Sequence, residues 1–308
     1  MPHADTATPA AIALVGGTGD LGLRIARVLV ARGARVRALV RSSSNSAALA
    51  GSGAEIVPID FNDAHALREA LRGAACLVSA LNGLEDSIFD LQGRVLDFAV
   101  AAGVPRFIPS DYSLDFTRTR PGRNRNLDLR RRFLARIDAA PIRATSILNG
   151  AFAELLAGQA PIVLRGPKIV LHWGSADQLL DFTMKDDVAA YTAAAAMDPN
   201  TPRFLRIAGD VVSPRDLAAT MRGLTGQRYR LVRPGGVAVL SAMIGIARRI
   251  APEPGAVFPA WQGMQYLRDM MEGRGKLEPL DNERYSGLGW TKARDILAAG
   301  GMDLATRA

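Results

Sequence analysis

A chain of 308 residues is long enough for one large domain, or for one domain with a substantial appendage. Hydrophobic residues make up 48% and charged residues 22%, close to the average of globular proteins, which excludes wholesale disorder. The formal net charge is +8. One cysteine excludes a disulfide framework and a cysteine-based zinc site, and three scattered histidines do not suggest a metal centre, so we expect no metal.

Residues 1–10 contain neither the basic nor the apolar segment of a secretory signal. The most apolar later stretch, residues 237–247, is much shorter than the roughly 20 residues that a membrane-spanning helix needs. The single cysteine also fits a reducing compartment. We therefore expect a cytoplasmic protein with no membrane association.

The first 150 residues alternate short apolar runs with amphipathic stretches, which is the pattern of βα units and a parallel sheet. The predicted strands cover residues 11–15, 35–40, 54–58, 75–80, 106–109 and 142–148. The predicted helices cover residues 21–32, 63–71, 85–102 and 126–139. The first strand is aliphatic without polar alternation, as expected for a strand that is buried on both faces.

After about residue 150 prolines and glycines cluster and the pattern becomes irregular, with one further strand predicted at residues 204–207. The predicted fold is an α/β doubly wound parallel Rossmann sheet with a smaller C-terminal substrate-binding region. Residues 10–155 would form the Rossmann domain itself. Residues 156–308 would hold the remaining Rossmann elements and the smaller region. Apolar residues between positions 258 and 271 recur at near-helical spacing. They would either cover an apolar pocket or belong to the ordinary core.

A glycine-rich loop joins the first predicted strand to the first helix. Read as G-x-x-G-x-x-G, its first glycine makes a tight turn, its second lets the backbone approach a pyrophosphate, and its third allows close helix–strand packing. The helix N-terminus offers free N–H groups to phosphates. A purely structural turn is the alternative, but the strand–turn–helix context favours dinucleotide binding. The predicted contacts are Gly16, Thr18, Gly19, Asp20, Leu21 and Gly22.

The end of the second strand indicates which dinucleotide is bound. NAD-binding domains place an acidic residue there, but residues 21–54 contain no Asp or Glu. Arg37 and Arg41 are present instead, and Ser42 follows. A guanidinium with a neighbouring hydroxyl suits a 2′-phosphate. We predict that Arg41 and Ser42 select NADP(H). Alternatively, Arg41 is a solvated arginine at a strand end.

Residues after the third and fourth strands are also expected at the cofactor. Asp60 and Phe61 follow the third strand at the carboxyl edge of the sheet, where ligands bind in such folds. Asp60 would accept a hydrogen bond from the adenine amino group, or alternatively cap the next helix. The predicted contacts after the fourth strand are Ala80, Leu81 and Asn82.

Three further segments carry a family resemblance. Residues 106–112 read RFIPSDY, residues 145–152 read TSILNGAF, and residues 185–191 read KDDVAAY with Asp198-Pro199 following. Together with the glycine loop they resemble the NmrA-like and isoflavone-reductase-like family of atypical short-chain dehydrogenases. The resemblance covers residues 11–226 and is thin over the last quarter of the chain. It implies an NADP-binding Rossmann fold with Ser110, Asp111, Asn149 and Phe152 at the cofactor.

The resemblance also implies catalytic residues. Family reductases have a lysine at the start of the helix after the fifth strand that helps proton transfer, and its position falls on Arg130 here. Arginine stays protonated, so Arg130 would stabilise an oxyanion rather than donate a proton. Water or Tyr112, the best remaining hydroxyl, would supply the proton. Alternatively, Tyr112 has no chemical role and serves only to pack against its neighbours or to position them.

We therefore expect an NADPH-dependent reductase of a small aromatic or conjugated carbonyl or enone compound, isoflavone-reductase-like, acting as a monomer or homodimer. The alternative is an NADP(H)-binding redox-sensing regulator of the NmrA type without turnover, which would act on a protein partner. The loss of the family lysine is compatible with that second role.

A basic cluster lies between residues 117 and 136. It contains eight arginines and one acidic residue, Asp128, and so accounts for most of the net charge. It is interpreted as a solvated face, as a surface that steers anionic ligands, or as a nucleic-acid contact. The last interpretation has little support, because no nucleic-acid module is recognisable. The arginines are Arg118, Arg120, Arg123, Arg125, Arg130, Arg131, Arg132 and Arg136.

Overall fold

In the computed structural model, which describes residues 11–300 except 159 and 161, the apolar run Ala11–Val15 forms strand β1. All five residues of β1 are buried, as predicted from the lack of polar alternation. Parallel strands lie on both sides of β1, so it is an inner strand, and the burial of all its residues means that both faces of the sheet are covered here. Residues 1–10, on which the expectation of no secretory signal rests, lie outside the described residues.

Six parallel strands form the main sheet, in the order β3-β2-β1-β4-β5-β6. The strand order reverses between β1 and β4, and ligands of such sheets bind outside the carboxyl ends of the strands at this point. This architecture confirms the predicted doubly wound Rossmann sheet. The remaining strands of the main sheet are β2 (Val36–Arg41), β3 (Glu55–Ile59), β4 (Ala74–Ser79), β5 (Arg106–Ile108) and β6 (Arg143–Ala144).

Helices connect these strands and continue through the second half of the described chain. Their bounds, in chain order, are α1 (Asp20–Ala31), α2 (Ala47–Ala50), α3 (Ala64–Leu71), α4 (Gln92–Ala101), α5 (Arg125–Asp138), α6 (Lys185–Met197), α7 (Pro214–Thr225), α8 (Val237–Ile250), α9 (Ala260–Met271) and α10 (Ala293–Ala299). Short 3₁₀ segments lie at Ala153–Ala157 and Asn282–Arg284. No described helix is both long and apolar enough to cross a membrane.

Three short sheets lie outside the main one, in the orders β14-β10-β9, β13-β11-β8 and β12-β7. Their strands are β7 (Ser146–Leu148), β8 (Ala151–Phe152), β9 (Val163–Leu164), β10 (Ile169–Trp173), β11 (Leu180–Thr183), β12 (Phe204–Arg206), β13 (Asp210–Val212) and β14 (Arg230–Gly235).

Two predicted elements differ from the structure. The predicted strand at 142–148 is split, because the Thr145 hydroxyl donates to the carbonyl oxygen of Pro202 (2.8 Å) and the Ser146 N–H donates to that of Arg203 (2.9 Å). Its second half therefore pairs with β12 instead of continuing in the main sheet. The predicted helix at 85–102 begins with a π-helical segment, Asp86–Leu91, before α4.

The chain divides into two compact units, each assembled from separate stretches of sequence. Of the described residues, the first contains 11–110, 133–146 and 189–203, and the second contains 111–132, 147–188 except 159 and 161, and 204–300. The first unit has an apolar core in which the rings of Phe107 and Phe133 meet edge to face, with centroids 6.3 Å apart. Residues of β4 and β5 are part of this core, and their packing fixes the position of the carboxyl ends of both strands.

We predict opposite effects for two glycine-to-alanine substitutions inside helices. A methyl group on Gly22 in α1 would overlap the carbonyl oxygen of Gly16, whereas Gly223 in α7 is exposed with no neighbouring atom near an added Cβ. Gly223→Ala should raise the free energy of unfolding by up to about 1 kcal/mol through helix propensity. Gly22→Ala should lower it by roughly 1–3 kcal/mol through overpacking. Urea unfolding of both variants measures the difference, and equal stabilisation by the two would contradict the tight contact at Gly22.

Candidate active site

Close packing within the protein requires glycine at two positions of the glycine-rich motif, one in the loop after β1 and one in the first turn of α1. Gly16 has φ +77°, and a Cβ there would lie 2.6 Å from the carbonyl carbon of Ala80, directly after β4. Gly22 faces the carbonyl of Gly16. These contacts press the loop against the end of β4 and hold the start of α1 close to β1. The predicted contact residues Gly16, Gly22 and Ala80 are therefore brought together.

Gly19 has a different environment. It is exposed, has an extended backbone (φ −79°, ψ 164°) and forms the N-cap of α1. A Cβ on Gly19 would meet only the Gly16 carbonyl oxygen, at 3.4 Å, so the packing of the protein would tolerate a side chain here. A ligand that approaches the backbone closely would explain why the residue is glycine. The amides that begin α1 lack partners within the helix, and the loop therefore fits a bound pyrophosphate.

The side chains beside this loop leave it accessible. Thr18 and Asp20 are exposed, and Leu21 is half-buried. The carboxylate of Asp20 accepts from Arg24 Nε at 2.7 Å, one turn along α1, which partly neutralises an anion that would otherwise repel phosphates.

A cavity of about 440 Å³ lies at the ends of β2 and β3 and contains the residues predicted for the adenosine end of the cofactor. The guanidinium of Arg41 is exposed and has no hydrogen-bond or ion-pair partner among the described residues. Arg37, four residues earlier, donates to the carbonyl oxygens of Ala70 (2.7 Å) and Arg72 (3.0 Å) and so braces the end of α3. Only Arg41 of this pair is available to an anionic ligand. The lining residues include Arg41, Ser42, Ser43, Asp60, Phe61, Asn62 and Arg94.

The structure excludes the interpretation of Asp60 as a helix cap. The cap of α3 is Asp63, whose side chain accepts from the backbone N–H groups of His65 and Ala66, each at 3.0 Å. Asp60 accepts instead from the backbone and side chain of Asn62, at 2.9 and 3.0 Å. Asp60 is thus not a helix cap, and its carboxylate stays at the cavity wall.

Sequence reasoning missed Arg94, which also lines this cavity. Its guanidinium donates to the carbonyl oxygen of Phe61 at 3.3 Å and to the side chain of Asn62. The packing of α4 against the sheet brings Arg94 to this place, and no local motif marks it.

The ends of β4 and β5 meet beside the glycine loop. The hydroxyl of Ser110 donates to the carbonyl oxygen of Leu81 at 2.6 Å, and its N–H donates to the buried side chain of Gln92 at 2.9 Å. Asn82 is exposed next to this contact. The predicted residues Leu81, Asn82 and Ser110 therefore share one edge of the first unit.

In the second unit, Asn149 is fully buried, and neither atom of its side-chain amide has a hydrogen-bond partner among the described residues. Its backbone is fixed: the N–H donates to Ser113 (3.0 Å) and the carbonyl accepts from Thr183 Oγ1 (2.7 Å). Unsatisfied buried amides are costly and often mark a position completed by a ligand or water. Phe152 is half-buried with the Lys185 ammonium 5.6 Å from its ring centre, and Asp111 is buried.

Arg130 lies in α5 and is 7% exposed. Its Nη1 donates to the carbonyl oxygen of Asn126 at 3.1 Å, one turn earlier. Its buried Nε has no partner among the described residues. A buried guanidinium retains its charge, so the unpaired N–H is a strong donor for an incoming oxygen.

Tyr266 of α9 lies in the second unit, as Arg130 does. It was predicted only as one of the apolar residues 258–271. Burial raises the pKa of Tyr266, and the positive charge of Arg130 opposes that rise. Tyr112, the predicted hydroxyl, is also in this unit but is only 6% exposed.

Most arginines of the basic cluster bind protein atoms. Arg118 donates to the carbonyl oxygen of Lys276, Arg123 to Ser241 and Glu272, and Arg136 to Asp97. Arg131 bonds Asp128 and the carbonyl oxygens of Phe116 and Thr119. Arg125 donates to the carbonyl oxygens of Ala256 and Val257 and stacks over Trp261. These contacts tie loops to helices within each unit, and Arg118, Arg120 and Arg132 are exposed, so the cluster is only partly a solvated face.

A model of the NmrA-like family matches residues 8–281 of the chain. The protein belongs to the NmrA-like family. This membership confirms the resemblance that the sequence motifs indicated. NADP(H) is the cofactor of this family, which confirms the predicted choice of dinucleotide.

Individual relatives of this NmrA-like protein are reductases. The isoflavone reductase homolog IRL of Zea mays is 31% identical over 242 residues, which cover 71% of this chain and 75% of the relative. The solved structure of AtPrR2 with NADP+ and (+)pinoresinol has a TM-score of 0.79 at 22% identity and covers 96% of this chain and 99% of that one. The NADPH complex of the quinone oxidoreductase QOR2 from Escherichia coli has a TM-score of 0.69 at 21% identity and covers 92% and 97%. The structural likenesses establish the fold.

We expect Arg41→Ala to weaken NADPH binding by roughly 10- to 100-fold, because a charge-assisted hydrogen bond contributes about 1.5–3 kcal/mol. Binding of NADH, which has no 2′-phosphate, should change little. Fluorescence titration with both nucleotides measures the ratio of their affinities.

Arg37→Ala is the matched control for that titration, since it removes an arginine of the same strand whose partners among the described residues are Ala70, Arg72 and Glu55. It should lower stability and leave the preference for NADPH unchanged. Loss of that preference in Arg37→Ala but not in Arg41→Ala would refute the assignment.

Proposed function

We propose that this NmrA-like protein is an NADPH-dependent reductase of a small aromatic or conjugated carbonyl compound. The observation that carries the proposal is the buried guanidinium of Arg130, whose Nε has no partner among the described residues. The family resemblance implies a lysine at this position. A fixed buried cation with an unpaired N–H suits an oxygen that gains negative charge. Reduction of a carbonyl or enone creates such an oxygen.

The first unit supplies the cofactor contacts in this proposal. The glycine loop and the start of α1 would hold the pyrophosphate, and Arg41 with Ser42 would hold the 2′-phosphate. Asp60 would accept from the adenine amino group beside Phe61. When bound, NADPH supplies a hydride from its nicotinamide. The buried amide of Asn149, together with Asp111 and Phe152, is assigned to the nicotinamide end.

Arg130 acts in this reaction through charge alone. Because arginine remains protonated at every pH at which the protein is folded, it stabilises an oxyanion without releasing a proton. The proton that completes the product must come from a hydroxyl group or from water. Tyr112 is the hydroxyl that the family resemblance places near the nicotinamide.

The substrate class is proposed from the relatives and from the aromatic residues of the second unit. The relatives and structural neighbours carry the names of isoflavone, pinoresinol and quinone reductases, whose named substrates are aromatic or conjugated. The half-buried ring of Phe152 and the exposed ring of Phe258 offer surfaces for an aromatic ligand.

The test is NADPH oxidation, followed by the loss of reduced-nicotinamide absorbance, with a panel of chalcones, enones, aromatic ketones and quinones. We expect turnover by the unmodified protein. In Arg130→Gln the turnover rate should fall by about two orders of magnitude or more, because one oxyanion donor contributes about 10²–10³. Arg130→Lys should recover part of the rate. Its rate should also fall as the pH rises through the pKa of the new lysine, since only the protonated amine is cationic.

The alternative is a redox-sensing regulator that binds NADP(H) without turnover. The replacement of the family lysine by Arg130 is the observation that favours it. The reductase would be rejected and the regulator favoured by a combination of three results. The protein would bind NADPH selectively, no compound of the panel would oxidise NADPH, and Arg130→Lys would not change this.

A further inference from the structure

We propose that Arg94 positions the loop of Asp60, Phe61 and Asn62 so that the carboxylate of Asp60 recognises the adenine amino group of the dinucleotide. This inference rests on the proposed function, in which Asp60 accepts from adenine, and it adds the residue that makes the contact specific for the base. Arg94 is a positioning residue in this assignment, because it acts on the base through Asn62 and Asp60. The contacts that carry the assignment all lie within the first unit.

The side-chain amide of Asn62 connects Arg94 to Asp60. The guanidinium of Arg94 donates to the amide oxygen of Asn62, and the amide nitrogen of Asn62 donates to Oδ1 of Asp60 at 3.0 Å. The same Oδ1 accepts from the backbone N–H of Asn62 at 2.9 Å. Both ends of the Asn62 amide are therefore hydrogen-bonded, one to the guanidinium and one to the carboxylate.

The chemistry of arginine decides which way this amide points. A guanidinium has five N–H donors and no acceptor, so the oxygen of the Asn62 amide must face Arg94. Rotation of the amide by 180° would place N–H groups against N–H groups at Arg94 and oxygen against oxygen at Asp60, and both hydrogen bonds would be lost. Arg94 thus directs a donor to Oδ1 of Asp60. Oδ2 of Asp60 has no partner among the described residues and is available to accept from a ligand.

The core of the first unit anchors both sides of this contact. Val95 and Leu96, which follow Arg94 in α4, are fully buried in that core, and Phe61 belongs to it as well. Nη1 of Arg94 donates to the carbonyl oxygen of Phe61 at 3.3 Å, in addition to its bond with Asn62. The guanidinium therefore joins α4 to two residues of the loop, and it limits how far the loop can move.

The loop faces the cavity of about 440 Å³ at the ends of β2 and β3. Arg41 and Ser42 line this cavity from the end of β2, and Arg94 lines it from α4. Ile59 and Leu91 add apolar surface to the lining, which suits the faces of a purine ring whose edge meets polar groups. The cavity therefore offers a place for a base at the loop and a place for a 2′-phosphate at Arg41.

A direct contact of Arg94 with the 2′-phosphate is the competing assignment, since Arg94 is a second guanidinium at the cavity. Nη1 of Arg94 already bonds Phe61 and Asn62, whereas Arg41 has no partner among the described residues. The bonds of Arg94 thus favour the positioning role. The two assignments differ in the group of the dinucleotide that Arg94 makes the protein select, the base or the 2′-phosphate.

Adenine and hypoxanthine differ at the group that Asp60 would recognise. Position 6 of adenine carries an amino group that donates a hydrogen bond, whereas hypoxanthine carries a carbonyl oxygen there, which would face the carboxylate. A site built around such a hydrogen bond rejects the analogue that lacks the donor. The unmodified protein should bind NADPH about 10-fold or more tightly than reduced nicotinamide hypoxanthine dinucleotide phosphate, since a hydrogen bond to a charged group is lost.

Fluorescence titration with these two dinucleotides and with NADH tests the inference by binding alone. In Arg94→Ala the preference for adenine over hypoxanthine should be lost, because the loop no longer orients Asp60. The preference for NADPH over NADH should remain, because Arg41 is unchanged. Arg94→Lys, whose ammonium can donate to the same oxygen of Asn62, should recover part of the adenine preference.

Arg68→Ala is the matched control, since it removes an exposed arginine of α3 that does not line the cavity. It should change neither preference. Each preference is a ratio of two affinities measured on one preparation, so a fraction of misfolded protein does not alter it. A merely structural role of Arg94 would weaken the binding of all three dinucleotides in proportion and leave both ratios unchanged.

A double-mutant cycle shows whether Arg94 acts through Asp60. Asp60→Ala should lose the adenine preference by itself, and the addition of Arg94→Ala should cause no further loss. An adenine preference that survives in Arg94→Ala would overturn the inference, and so would its absence from the unmodified protein. A fall of the NADPH-to-NADH preference in Arg94→Ala would also overturn it and would assign Arg94 to the 2′-phosphate.

The inference and the proposed reductase fail in different ways. If a carbonyl compound is reduced and Arg94→Ala keeps the adenine preference, the positioning role is wrong and the reductase stands. If no carbonyl compound is reduced and the adenine preference depends on Arg94, the reductase fails and the positioning role stands.

Discussion

The close approach of the Gly16 backbone to the end of β4 is the contact on which the cofactor-binding half of the protein depends. No side chain fits there, because a Cβ on Gly16 would lie 2.6 Å from the Ala80 carbonyl. The contact fixes the turn that leads into α1, and the second tight contact, between Gly22 and Gly16, fixes the direction of that helix. Once both are made, the first amides of α1 point out from the reversal of strand order, where a phosphate can reach them.

Guanidinium groups serve opposite purposes in the two units. Arg41 is exposed at a cavity and carries an uncompensated charge, which costs little in water and is available to a ligand. Arg130 is buried, where an unsatisfied donor is costly, and such groups persist at sites whose ligand completes them. Most of the remaining basic cluster binds carbonyl oxygens and carboxylates, so its charge stabilises loops.

The fold was largely predictable because its signals are local. The aliphatic run of β1, the glycine loop and the missing acid between residues 21 and 54 each depend on neighbouring residues, and together they identified the sheet and the cofactor. The split of residues 142–148 into two strands was not predictable, since it depends on hydrogen bonds to residues 202 and 203. Arg94 was missed for the same reason, because helix packing brings it to the cavity from elsewhere in the chain.

The reliance on arginine also has a chemical consequence. Lysine occurs at only four positions, Lys168, Lys185, Lys276 and Lys292, and none lies among the residues assigned to the cofactor or to the substrate oxygen. Lys276 is further protected by its ion pair with the buried carboxylate of Asp181 at 2.6 Å. Amine-directed reagents therefore modify none of the assigned residues themselves, and the lysine nearest to one of them is Lys185, whose ammonium lies 5.6 Å from the ring centre of Phe152. Dicarbonyl reagents, which attack guanidinium groups, reach the exposed Arg41 directly.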